Sequence, residues 1–138
     1  MTEREIVGAV LDEFHAAAAA ADEGTYLATL TDDMVFLGTA PGERWVGAEW
    51  RDFVHSYFSR GKGWAYEPSE RSVVVAPDGR TAWFDETVGN EHYGACRGSG
   101  VLRREGDAWR IAQYNLTIPV PDELAPELVA RIRDMRPA

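Results

Sequence analysis

The chain has 138 residues, of which 14 are basic and 23 acidic, and its net charge of -9 repels nucleic-acid phosphates and anionic membrane surfaces. Hydrophobic residues make up 45%, yet no apolar run approaches the roughly 18 residues that a membrane helix needs, so neither nucleic acid nor membrane is expected as a partner. Cys96 is the only cysteine, which excludes an intrachain disulfide and a cysteine-based zinc cluster.

The start, Met1 to Val7, is charged and lacks the apolar stretch of an export signal, so a cytoplasmic address is expected. From Thr2 to Ala21, apolar residues at Ile6, Val7, Val10, Leu11, Phe14 and Ala18 predict an amphipathic helix, with Thr2 as N-cap and Gly24 suited to its left-handed end. Thr25 can cap a short second helix through Leu30. Thr31-Asp32-Asp33 then predicts a break before a strand from Met34 to Leu37. A loop over Thr39 to Glu43 leads to a short strand at Trp45 and Val46, then to a third helix from Ala48 to Ser59.

Beyond it the period changes to two. Tyr66–Ala76, Thr81–Glu91, Tyr93–Arg104 and Ala108–Ile118 read as successive antiparallel strands, with turns at Pro77–Arg80 and Glu105–Asp107 and a break near Asn90. Glu123 to Met135 predicts a last short helix. No repeat or linker divides the chain, so one domain over residues 1–138 is expected. Helices first and strands afterwards predict an α+β fold in which a cone-shaped, curved antiparallel sheet packs on the N-terminal helices.

Three phrases carry a resemblance: Asp32-Asp33-Met34-Val35-Phe36, then Glu43-Arg44-Trp45-Val46-Gly47, and Gly100 through Ile111 with its glycine-aspartate turn before Trp109-Arg110-Ile111. In that order they resemble the SnoaL-like branch of the nuclear transport factor 2-like superfamily, over nearly the whole chain. The resemblance implies a ketosteroid isomerase-related α+β roll, an internal pocket, frequent homodimers, and functions that range from cofactor-free isomerases, cyclases and dehydratases to proteins without catalysis. The tyrosine, aspartate base and protonated aspartate of ketosteroid isomerase fall near Ala17, Gly38 and Gly100, so that apparatus is absent.

If Trp109 and Ile111 face inward, strict alternation sends Gln113, Asn115 and Thr117 inward to line the cavity with hydrogen-bonding groups; the alternative is that the strand end is solvated. The resemblance implies that Arg97 points into the cavity. Asp85 or Glu86 would then pair with it, only one of the two facing inward, and Asp85 is preferred. Such a pair would bind a substrate carboxylate or carbonyl, or activate water for acid/base chemistry, unless it is a structural ion pair. Glu43 and Trp45 border the presumed cavity mouth, and Trp83, Trp50 and Tyr114 add aromatic surface.

The expected catalytic candidates are therefore Asp85, Glu86 and Arg97. The expected ligand contacts are Glu43, Trp45, Trp83, Arg97, Gln113 and Asn115. His15, His55 and His92 share no metal-ligand spacing, so neither metal nor cofactor is expected. The functional reading is a pocket for a small, largely apolar molecule and, if the chain is an enzyme, cofactor-free isomerase, cyclase or dehydratase chemistry. The alternative is a non-catalytic homodimeric interaction module with Trp83, Tyr114 and Val101 at its interface.

Overall fold

Thr2 starts the first helix, α1 (Glu3–Ala20), in the computed structural model, which describes residues 1–135. Its hydroxyl accepts the Glu5 amide while the Glu5 carboxylate accepts from the Thr2 amide, a capping box that satisfies two otherwise orphaned donors. Val7, Leu11, Phe14 and Ala18 form the buried stripe, and His15 lies on that stripe beside Phe14.

The expected glycine cap is replaced by Ala21, which adopts the left-handed conformation itself (φ 53°) and donates to the carbonyls of Ala17 and Ala18. The small alanines let the chain at Gly63 and Trp64 approach, and the Trp64 amide donates to the Ala18 carbonyl at 3.2 Å. Gly24 instead sits inside α2 (Glu23–Ala28), which Asp22 rather than Thr25 caps.

The first strand, β1 (Leu30–Leu37), begins earlier than expected, because Thr31-Asp32-Asp33 is accommodated by an irregularity between Leu30 and Val35 instead of a break. It pairs antiparallel with β2 (Arg44–Val46), and α3 (Ala48–Phe58) follows. β3 (Glu67–Val75), β4 (Thr81–Asn90), β5 (Gly94–Glu105) and β6 (Ala108–Thr117) form the expected antiparallel run.

The sheet order is β2-β1-β6-β5-β4-β3, and β1 lies parallel to β6. The curved sheet is therefore mixed, a correction to the wholly antiparallel expectation. α1 packs over β3 and β6 and α3 over β1 and β2, so both helices cover the same inner face. The last helix, α4 (Ala125–Met135), buries no residue.

Strand facing decides what chemistry the interior holds. On β4, Ala82, Phe84, Glu86 and Val88 point inward and Trp83, Asp85 and Thr87 outward. On β6, Trp109 and Ile111 point inward as expected, but Ala112 is an extra residue: Val101 pairs with Gln113 while Leu102 pairs with Ile111. This bulge inverts the alternation beyond it. Tyr114 and Leu116 become the inward pair, while Gln113, Asn115 and Thr117 turn to the outer face.

Candidate functional site

Glu86 is the centre of the interior's polar chemistry, only 2% exposed. His15 Nε2 meets its Oε2 at 2.5 Å and the Tyr114 hydroxyl donates to the same oxygen at 2.7 Å. Arg71 Nε donates to Oε1 at 2.8 Å. Its Nη1 continues to the Asp12 carboxylate at 2.9 Å and to the Gly8 carbonyl at 3.0 Å. Four elements thus converge on one carboxylate: α1 supplies His15, β3 Arg71, β4 Glu86 itself and β6 Tyr114.

Glycines make room for this cluster. A Cβ on Gly98 would run into the Tyr114 hydroxyl and come within 3.1 Å of Glu86 Oε2, and one on Gly100 would run into the Gln113 carbonyl. Burial alone would push the Glu86 carboxyl up. The hydrogen bond and charge of His15, with Tyr114 and Arg71, outweigh that and hold it below the usual carboxylate range. Burial, reinforced by the neighbouring Glu86 charge, pushes the Tyr114 phenol far above its ordinary value, so it remains a donor. For Arg71, burial works against its charge, and the carboxylates of Glu86 and Asp12 more than restore it.

Beside this cluster opens a pocket of about 220 Å³, between α3, the β1–β2 hairpin and the start of β3. Its walls include Phe36, Trp45, Trp50, Phe53, Trp64 and Tyr66, with Tyr93, Thr39 and Glu43 at the rim. The rings pack in series: Phe36 stacks on Trp50 at 4.0 Å between centroids, and Trp50 stacks on Phe53 at 5.3 Å. Burial, helped by Cys96, Tyr93 and Glu43, pushes the Tyr66 phenol up to about 12.

Phe36, Trp64, Tyr66 and Leu116 separate the pocket from a second void of about 10 Å³, which His15 and Tyr114 border. A void of that size holds about one water molecule. His15 also borders an open groove lined by Ala16, Ala19 and Pro68. Among the described residues no group of three or more His, Cys, Asp or Glu side chains is placed to hold a metal ion.

Of the expected site residues, the structure brings Glu43 and Trp45 to the pocket and Glu86 to the polar cluster. Asp85 and Trp83 are corrected to the outer face, where Trp83 is 47% exposed. Arg97 is corrected too: it is exposed, paired in register with Thr87 and Thr117 on the outer face, and its side chain makes no ion pair among the described residues. Gln113 and Asn115 lie outside the pocket because of the bulge at Ala112. Tyr114, expected at a dimer face, is buried inside.

His15, Arg71 and Tyr114 were not among the expected site residues. A signal for two of them exists in the sequence: His15 falls on the stripe of Val7, Leu11 and Ala18, and Arg71, two residues before Val73 and four before Val75, shares their face of the strand.

Residues 7–121 match the SnoaL-like domain family. The chain belongs to that family. No match was found among curated protein sequences. Many solved structures resemble this SnoaL-like domain. A nuclear transport factor 2-like protein of unknown function from Pseudomonas putida KT2440 superposes with a TM-score of 0.70 at 16% identity, over 87% of this chain and 89% of its own.

A protein from Novosphingobium aromaticivorans provisionally named an aromatic ring hydroxylase gives 0.70 at 21% identity, over 86% and 90% of the two chains. One from Streptomyces avermitilis, provisionally named a dehydratase of the same superfamily, gives 0.67 at 17% identity over 86% and 97%. At these identities the likeness establishes the fold, including its cystatin-like α+β character, and nothing finer. Among the described residues of this SnoaL-like domain, no helix is long and apolar enough to cross a membrane.

Proposed function

We propose that this chain binds a small, largely apolar molecule in the aromatic pocket, and that the His15–Glu86 pair at its inner end moves a proton on that molecule without a cofactor, as an isomerase, cyclase or dehydratase does. The observation that carries this reading is the shared wall: Phe36, Trp64, Tyr66 and Leu116 line both the pocket and the void that His15 and Tyr114 border. A ligand that pushes Trp64 or Tyr66 aside reaches the imidazole. His15 then acts as the proton carrier, with Glu86 orienting and balancing it and Tyr114 and Arg71 fixing Glu86 in turn.

The test is a titration of small aromatic, polyketide-like and organic ammonium compounds, read by tryptophan fluorescence and thermal shift. A ligand of the native state raises the apparent melting temperature by mass action. Binding should also move the ring resonances of His15. Silence across the panel would end the binding reading, and saturation that leaves His15 unmoved would end the catalytic one.

The outer face favours a second, compatible reading, a homodimer. Val74, Trp83 and Val101 lie in one cross-strand row, and Val74 and Trp83 are 45% and 47% exposed. Sedimentation of the chain should then show a dimer that Trp83→Arg dissociates, whereas a concentration-independent monomer would dismiss it.

A further inference from the structure

We infer that the occupant of the aromatic pocket is a cation, an organic ammonium ion with a quaternary or protonated amine head. This rests on the reading that the pocket binds a small molecule and adds the sign of its charge. Seven of the eleven lining residues are aromatic, and the ring faces of Trp and Tyr attract cations, the more so when water is excluded. Glu43 is the acidic residue in that lining, and no basic residue joins it among those described. An anionic head group would enter without a positively charged partner and against a chain of net charge -9, whereas a cation meets both the local carboxylate and the overall field.

Glu43 is also held in place before any ligand arrives. Its Oε1 accepts the Ala40 amide at 2.7 Å, its carbonyl accepts the Gly38 amide at 2.9 Å, and its side chain packs so close to Gly38 that a Cβ there would lie 3.0 Å away. Oε2 has no partner among the described residues. The rim therefore presents a fixed negative charge next to Trp45 and Tyr93, and the volume of about 220 Å³ suits a head group of a few carbons in place of a drug-sized molecule.

The experiment compares choline with 3,3-dimethylbutan-1-ol, which has the same shape but carbon in place of the charged nitrogen, by tryptophan fluorescence. Three of the five tryptophans line the pocket. Choline should bind at least about fivefold tighter. Glu43→Gln should remove most of that preference by weakening choline more than the neutral alcohol. Trp45→Leu, at a half-buried position on an edge strand, should weaken choline more than the alcohol.

Equal or tighter binding of the alcohol, or a preference that survives both substitutions with circular dichroism unchanged, would overturn the charge assignment and leave the pocket standing. Binding of neutral aromatics without choline would do the same. Failure of every compound would remove the pocket reading together with the charge.

Discussion

Asp85 and Glu86 are adjacent carboxylates on β4 that face opposite worlds. Glu86 is sealed against His15, Arg71 and Tyr114, while Asp85, one peptide unit away, projects from the outer face. The same contrast separates Arg71, held by two carboxylates under α1, from Arg97, exposed on the far side of the sheet. Charge type therefore says little about role here. Facing decides whether a charge costs several kcal/mol to leave unpaired or almost nothing.

The strongest way to break this comparison is Glu86→Ala. It leaves His15 without its carboxylate and Arg71 with only Asp12 and the Gly8 carbonyl, and the expected loss is about 3–5 kcal/mol, read from urea midpoints. Asp85→Ala should change stability by less than about 0.5 kcal/mol. Equal effects would show that the buried cluster is not what holds the sheet to α1.

The pH dependence sharpens the same point. Because the folded-state pKa of Glu86 lies below its ordinary 4.5, its contribution is fully present above that value and is lost as pH falls through the depressed folded value. The acid limb of the stability curve should therefore be shallower in Glu86→Gln and unchanged in Asp85→Asn. An unaltered limb in the glutamine variant would mean that the unfolding proton is taken up elsewhere.

Much of the frame was legible because it follows from local signals. The α1 stripe, the Thr2 cap, and the turns at Gly79 and Gly106, with φ of 70° and 64°, each need only neighbouring residues to be recognised. The parallel pairing of β1 with β6 was not legible, since it joins residues some eighty positions apart. Nor was the left-handed Ala21, where the close approach of Gly63 and Trp64 prevails over the usual glycine preference.

The site fared worse for one physical reason. A strand has a period of two, so a single-residue error in phase exchanges every inward residue for an outward one. Preferring Asp85 carried Trp83 inward with it and left Glu86 outside, and the bulge at Ala112 did the same to Gln113 and Asn115. Glu43 and Trp45 escaped this because a loop and a short edge strand placed them at the mouth.

A smaller effect tests how the inner cluster is built. Gly98→Ala should displace the Tyr114 hydroxyl from Glu86 and cost about 1–3 kcal/mol through overpacking. Adding Tyr114→Phe removes the atom that the new methyl meets first. The double variant should then be less destabilised than the sum of the singles, and strict additivity would show that the glycine serves strand curvature instead.

The smallest expected effect is the most informative about the outer face. Arg97 contributes its carbonyl to a hydrogen bond from the Thr117 hydroxyl, and that bond survives truncation of the side chain. Its guanidinium makes no ion pair among the described residues and lies across the sheet from the aromatic pocket. Arg97→Ala should therefore stay within about 0.5 kcal/mol of the parent and leave the affinity of any pocket ligand unchanged. A loss of affinity with stability intact would mean that ligand reaches the outer face, and the division of labour between the two sides of β5 would have to be redrawn.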